Sequence, residues 1–518
     1  MAFATMAPEF RVTLYKTLNR RMVTSSDNGT VPASERFSGG KRVIDLTPFF
    51  GDGSALETSK SVRAPAGQWS MTVVDEMVVE HMDSLYGLVE PMDVIEIRMR
   101  HRPDPAATGM DPPVVMRGFV CDVGRTLSMG ANGAPARAVT LSGMDYGKVL
   151  EMIQIRYLPN YVIGQNLLTV LNLFVNYGVE AKPNQPGNDF VKQIVDKVIN
   201  PFLYDIAGFS VSPDTCKLSY LQQIEHEATA SAGTISAFGA QAAQGTLWDV
   251  LRGLLDVGPW TELFIEDRPE VMDDPKRHGG VVLVYRDNPF KDLDPARGYI
   301  MPGATKIDAL TVADDSVVAL NVGRSDANVA NYFQVNMPRM SLIDGATMSL
   351  AGQQRNPDAF YLTKHPNATP TLYGLRFMEA DTQMGGADSL GRVDGQSAAA
   401  VKEGQRKDQL WIDQRRAQLM AMNKDNVVFE SGTITLRGQA TLRPGMYLRI
   451  QHGPSDAALR PFVWESYVVA VQHRMVPYQG FVTVATFERG TMFAEHIRRG
   501  AGLDSAYLAE WNQGGALG

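Results

Sequence analysis

Between Phe10 and Lys148 the apolar residues recur at every second position in short runs, a period that only a sheet with one buried face satisfies. Trp69-Ser70-Met71-Thr72-Val73 alternates large apolar with small polar residues. Across 93–100, Ile95, Ile97 and Met99 fall on one side, and Val94, Glu96, Arg98 and Arg100 on the other. The first set is expected on the buried face. The same reading predicts strands over 11–15, 41–46, 114–123 and 136–142. Segments 25–40 and 102–113 are rich in Gly, Pro, Ser, Asn and Asp and read as exposed loops. Many short strands with little helix between them predict a sandwich or small barrel.

The period changes near Met144. Helices are predicted over 146–155 and 163–177, the latter with Leu167, Val170, Leu171 and Phe174 at helical spacing. Segment 190–200 places Val191, Ile194, Val195 and Val198 on one face, and Pro201 is expected to close it. Segment 246–255 does the same with Leu247, Val250, Leu251 and Leu254. Strands are predicted over 262–265 and 281–285, joined across the polar turn 266–280. The block 149–306 is therefore α+β. From Ile307 the β pattern returns, with strands expected at 317–322 and 332–335. Segment 381–405 is poor in large apolar residues and reads as a mobile linker or extended arm. A helix over 403–422 carries Trp411, Arg415, Leu419 and Met422 along one stripe. Segment 432–450 reads as two strands joined near Arg443-Pro444-Gly445, and 467–473 pairs with 481–487 across 476–480. The two β blocks match in length and pattern, so an internal duplication is expected, although residue identities do not demonstrate it.

The chain has 518 residues, which at about 150 per domain predicts about three domains. Apolar residues make up 44% and charged residues 20%, an ordinary globular balance. A net charge of -8 and a pI near 5.6 argue against a general nucleic-acid binder. Cys121 and Cys216 are too few for a disulfide framework or a four-thiolate zinc site, and suit a reducing compartment. Residues 1–16 lack the apolar core of a secretory signal. No run approaches the roughly 18 apolar residues of a spanning helix, so no membrane insertion is expected.

Each catalytic motif fails at a residue its chemistry requires. His226-Glu227 could open a metalloprotease helix, but the second histidine, one turn on, is Ala230. Gly39-Gly40-Lys41 resembles the end of a phosphate loop, yet Glu35 stands at its first glycine and Arg42 at its magnesium-binding hydroxyl. In Gly208-Phe209-Ser210-Val211-Ser212 the closing glycine of a nucleophile elbow is Ser212. Asp273-Asp274 and Asp314-Asp315 are paired carboxylates of the kind turns contain, with no sign of the unequal desolvation acid–base work needs. His81, His101, His226, His278, His365, His452, His473 and His496 show no ligand spacing. No catalytic, cofactor-binding or metal-binding residue is assigned, and an enzyme is not expected.

A series of local phrases carries a resemblance. Ala64-Pro65-Ala66-Gly67-Gln68-Trp69-Ser70-Met71 is followed by Val139-Thr140-Leu141-Ser142-Gly143-Met144-Asp145. Then come Thr246-Leu247-Trp248-Asp249-Val250-Leu251, Trp260-Thr261-Glu262-Leu263-Phe264 and Leu283-Val284-Tyr285-Arg286-Asp287-Asn288-Pro289-Phe290. Asn331-Tyr332-Phe333, Tyr373-Gly374-Leu375-Arg376 and Gly432-Thr433-Ile434-Thr435-Leu436-Arg437-Gly438 follow. Leu442-Arg443-Pro444-Gly445 and Val482-Thr483-Val484-Ala485-Thr486-Phe487-Glu488-Arg489-Gly490 close the series. In this order the chain resembles the baseplate hub proteins of contractile phage tails, including the T-even hub and the gene D class of tail proteins.

The resemblance implies two β-barrels similar to tail-tube subunits, residues 1–148 and 307–380 with 426–490. An α+β insertion, 149–306, a linker and helix, 381–425, and a C-terminal docking arm, 491–518, complete the plan. It implies a homotrimeric ring with pseudo-sixfold symmetry, matching a sixfold tail tube on one side and a threefold central spike on the other. The implied partners are further copies of the chain, the spike, a tube or distal-tube protein and other baseplate or wedge proteins. DNA would pass only in transit, through a lumen whose lining is expected to be acidic. The implied setting is a virion tail baseplate assembled in host cytoplasm, without a cofactor. With no long β-helical repeat after the second block, the spike is expected to be a separate protein. The hub of a contractile bacteriocin or secretion machine fits the same mechanism. A tail-associated cell-wall hydrolase would need a glutamate of raised pKa in a cleft, or a zinc set.

Overall fold

The alternation at Trp69 is realised as strand Gln68–Val74, with Trp69, Met71 and Val73 buried and Gln68 and Ser70 exposed. The computed structural model describes residues 8–16, 43–51, 53–75, 84–101, 111–129, 135–155, 184–207, 223–230, 233–236, 245–268, 280–290, 292–294, 298–300, 307–337, 360–362, 365–385, 398–451, 464–477 and 480–491. Among these, thirteen strands form one sheet. Its order is Val317–Gly323, Glu430–Arg437, Gly480–Thr491, Trp464–Val476, Ala55–Ser61, Gln68–Val74, Pro135–Asp145, Val114–Met129, Val94–Arg100, Glu9–Tyr15, Val43–Asp45. Tyr447–Gln451 pairs with the first part of Trp464–Val476, and Ala309–Ala313 lies outside it. Among the described residues this path does not close into a barrel. The two β blocks instead share the sheet, joined where 470–475 runs antiparallel to 56–61.

The blocks are built to one plan. From the junction outward, Ala55–Ser61, Gln68–Val74, Pro135–Asp145, Val114–Met129 and Val94–Arg100 follow the same order as Val317–Gly323, Glu430–Arg437, Gly480–Thr491, Trp464–Val476 and Tyr447–Gln451. Each block also opens with a short strand and a 3-10 turn, Val43–Asp45 with Thr47–Phe49 and Ala309–Ala313 with Asp314–Ser316. A register irregularity falls between Val120 and Asp122 in one block and between Val468 and Ala470 in the other. The first block differs in having Glu9–Tyr15, which precedes Val43–Asp45 and is inserted between it and Val94–Arg100, and the second in carrying Tyr332–Asn336, Phe377–Asp381 and Ala398–Asn423 between its first two antiparallel strands. The expected duplication is thus present as topology.

The ladders place Trp69 opposite Gly143 and, at the equivalent step, Gly432 opposite Phe487. One pair is large then small; the other is small then large. A Cβ on Gly143 would lie 2.0 Å from the Phe119 carbonyl oxygen and 2.5 Å from the Trp69 ring. Gly143→Val should therefore lower the unfolding free energy by about 3 kcal/mol through overpacking, read as a fall in the denaturant midpoint at unchanged slope. A neutral result would refute this packing.

Four apolar clusters hold the molecule. The first block's core contains Leu56, Trp69, Ile95, Ile97 and Leu141, and takes Met475 and Phe481 from the second block. The second block's own core, around Ile434, Leu448, Trp464 and Phe487, is smaller. A patch of Val62, Phe264, Val284, Tyr447 and Tyr467 seats the middle block on the sheet. The middle core gathers Phe190, Ile194, Leu251, Trp260 and Leu283 with Phe333, Trp411 and Leu419.

In the middle block Thr261–Asp267 and Val281–Asp287 pair antiparallel, as expected. Helix Leu247–Leu254 buries Leu247, Val250, Leu251 and Leu254 behind a Thr246/Asp249 capping box. Several expectations are corrected. Pro201 does not end its helix: Gly187–Ile194 passes through a π turn, Val195–Ile199, into Asn200–Ala207. Proline stands directly after the π turn, as the second residue of the last segment. The helix expected over 146–155 is only Lys148–Met152, followed by strand Gln154–Ile155. Strand Val94–Arg100 is buried on both faces, because Glu96, Arg98 and Arg117 neutralise one another. Strand Tyr332–Asn336 pairs with Phe377–Asp381, outside the large sheet. The start of the supposed linker is packed: Thr382 and Met384 are buried, and Asp256 accepts hydrogen bonds from Thr382 Oγ1 and the Gln383 amide at 2.6 Å each. Its end is the beginning of helix Ala398–Asn423, on which Trp411, Arg415 and Leu419 are buried as predicted. The helix expected over 163–177 and the arm 492–518 lie outside the described residues.

Candidate assembly surface

Buried charges fix the three parts of the chain to one another. Lys60, on the junction strand, reaches Asp145 Oδ2 at 2.9 Å and Asp267 of the middle block. Burial works against the ammonium, but the two carboxylates overcome it and raise its pKa above the ordinary value. Arg286 donates to Glu262 Oε2 at 3.0 and 3.1 Å, to the Gly445 carbonyl at 2.8 Å and to the Tyr467 hydroxyl at 3.2 Å. Burial opposes that charge too, and Glu262 outweighs it. These contacts tie the middle sheet to the second block. Burial lowers His473 to about 4, so it is neutral and hydrogen-bonded to Thr483 Oγ1.

One face of the large sheet is polar and lightly covered. Gln68, Ser70, Ser142 and Ser59 line shallow concavities of about 320 and 360 Å3 there. Its charges are of both signs. Glu57 accepts from Gln472 and pairs across the ladder with Arg474, Asp122 accepts from Ser142, and Arg437 lies farther along. Small hydroxyl side chains with balanced charge neither hold nor strongly repel a polyanion.

Two edges stand out against this. Strand Val317–Gly323 exposes Val318 at 62%, Leu320 at 42% and Val322 at 41%. Its inner edge pairs with Glu430–Arg437, and among the described residues no strand pairs with its outer edge. The far half of Val114–Met129 pairs with Pro135–Asp145 on one side, while Val94–Arg100 reaches only residues 114–119 on the other. Leu127 and Met129 there are 64% and 78% exposed. Among the described residues these two unlike edges each carry a row of exposed apolar side chains, an arrangement soluble proteins cover by pairing. The alternation of 317–322 predicted a strand; exposure depends on neighbours that a linear pattern does not contain.

Among the described residues the candidate catalytic motifs do not come together. His226 and Glu227 lie on strand Glu225–Ala228, not on a helix, and Asp314 and Asp315 sit in the 3-10 turn. His365 lies 3.5 Å from Asp425. Gly39–Lys41, 208–212, Asp273, Asp274, Cys216, His81, His278, His452 and His496 lie outside the described residues. No cluster of three metal-ligating side chains occurs among the described residues, and no described helix is long and apolar enough to cross a membrane. A cleft of about 880 Å3 between the middle and second blocks has Glu262 in its wall, but that carboxylate is engaged by Arg286 and Tyr467.

The sequence matches no family profile and no curated protein. Its fold is similar to that of a tail protein from Neisseria meningitidis MC58, at 10% identity and a TM-score of 0.42, covering 92% of this chain and 96% of that one. A 43 kDa tail protein of prophage MuSo2 from Shewanella oneidensis gives 12% identity and a TM-score of 0.39, covering 92% and 98%. An Escherichia coli component of the type VI secretion system, described as structurally similar to T4 bacteriophage tail proteins, gives 11% and 0.35, covering 85% and 74%. With TM-scores below 0.5 these are loose likenesses, and the functional reading rests on the chain's own residues.

Proposed function

We propose that this chain is a structural baseplate hub of a contractile tail, a homotrimer whose six β blocks form a ring between a sixfold tube and a threefold spike. The repeat of one strand plan within a single continuous sheet carries the reading. Two similar blocks per chain make three chains a six-block ring, and that is how one polypeptide joins sixfold to threefold symmetry. The two unlike edges fit a head-to-tail contact, the type that closes into rings. The polar sheet face suits the wall of a conduit for DNA, since it has no basic surplus to retain phosphates. The part is played by geometry, without catalysis.

The test is native mass by light scattering. A trimer of the 56.8 kDa chain should give about 170 kDa, with rings visible by electron microscopy. A mass that stays at one chain over a hundredfold range of concentration would overturn the reading.

A further inference from the structure

The junction inside the chain specifies the junction between chains. We infer that the far half of Val114–Met129 in one copy pairs antiparallel with Val317–Gly323 of the next copy, with Leu127 opposite Leu320. The inference rests on the ring reading above and names the surfaces that close it.

Within the chain, the near half of Trp464–Val476 pairs with Tyr447–Gln451; its far half pairs with Ala55–Ser61 of the first block. The first block has the same two-part strand. The near half of Val114–Met129 pairs with Val94–Arg100, while its far half has no partner on that side among the described residues. The second block likewise has a counterpart of Ala55–Ser61, namely Val317–Gly323, whose outer edge is unpaired among the described residues. One socket is filled inside the chain. The other socket and its plug are both open, at opposite ends of the repeat.

The ladders fix the register. Phe119 faces Val94 as Tyr467 faces Tyr447, and the irregularities at Cys121 and Val469 coincide. Leu127 therefore corresponds to Met475, and Arg125 to His473. Ala319 faces Thr435 as Ala55 faces Thr72, and these two threonines face Val484 and Thr140, themselves equivalent. Leu320 therefore corresponds to Leu56. The internal junction pairs Met475 with Leu56 and His473 with Thr58. Carried over, it pairs Leu127 with Leu320, Arg125 with Val322, and Gly124 with Gly323.

Burial supports the transfer. Met475 and Leu56 are both wholly buried in the first block's core. Leu127 and Leu320 have the same apolar character but stay 64% and 42% exposed in the single chain. Met129 and Val318 continue the row on the same strands, at 78% and 62%. The second block's core lacks what Met475 and Phe481 give the first. A neighbour's Leu127 and Met129 would supply it, burying the exposed row of Val318, Leu320 and Val322.

The experiment is cysteine cross-linking in the full chain, with Cys121→Ser and Cys216→Ser as background. Leu127→Cys combined with Leu320→Cys places two sulfurs on directly opposite residues, whose Cα atoms in an antiparallel pair lie within disulfide reach. Mild oxidation should give a covalent trimer on a non-reducing gel that returns to single chains on reduction. Thr126→Cys with Leu320→Cys, one residue out of register and facing the other side of the sheet, should give roughly a tenth of that yield or less. Leu320→Asp should yield single chains that still unfold cooperatively, because much of the side chain is exposed before assembly. A native trimer that neither cross-links in register nor dissociates with Leu320→Asp overturns this interface and leaves the ring standing. An unmodified chain that stays monomeric overturns both.

Discussion

Arg286→Leu is expected to destabilise the protein by about 3–5 kcal/mol, because it strands a buried carboxylate. Glu262 is 7% exposed and has two strong partners, the Arg286 guanidinium and the Tyr467 hydroxyl at 2.5 Å. Without the arginine, the carboxylate either stays charged without compensation or takes up a proton, and both are costly at neutral pH. The Gly445 carbonyl loses its donor as well. Glu262→Leu added to Arg286→Leu should recover a large part of the loss, since an apolar pair of similar volume replaces a buried ion pair at little net cost. The measurement is the thermal midpoint of wild type, single and double variants at pH 7. If the single variant melts with wild type, the middle block is not held to the sheet by this contact.

Lys60→Met should cost a similar amount, about 3–5 kcal/mol near pH 7.5, with a distinctive pH dependence. Lys60 stands between Asp145 and Asp267, all three nearly inaccessible to water. In wild type its pKa is raised, so its contribution is complete below the ordinary lysine value of about 10.4 and is lost as pH rises through the folded value. In the variant two buried carboxylates face each other without a cation. Burial already raises the Asp145 pKa, and losing the opposing ammonium raises it further, so the folded state binds a proton more readily than the unfolded one. Stability of Lys60→Met relative to wild type should therefore improve as pH falls from 7.5 toward 5, where a proton shared by the carboxylates takes over from the ammonium. Parallel pH profiles for the two proteins would refute the arrangement.

The strands were largely legible in the sequence, because period two survives wherever one face meets a core, as at Trp69, Met71 and Val73. Period two was silent where both faces are buried. At Val94–Arg100, the charged side Glu96 and Arg98 reads as a solvent face, yet Arg117 from the next strand closes it off. Lys60, Asp145 and Asp267 look like surface charges for the same reason: their partners are far away in sequence. The duplication was legible as pattern and hidden in identity. Only two of its equivalent steps need be compared to see why. Trp69 with Gly143 and Gly432 with Phe487 conserve the volume of a pair while exchanging which strand supplies it. The open edges were not legible at all. Val318, Leu320 and Val322 have the alternation of a covered strand, yet all three are exposed in the single chain.

That exchange of volumes also limits what the two halves can do to each other. A strand carrying Gly432 laid against Gly143 would leave a hole where a ring belongs. Homologous halves at high local concentration are prone to trade segments during synthesis and assembly. Here a strand traded onto Pro135–Asp145 without Trp69 would leave a gap beside Gly143, which favours each half keeping its own strand.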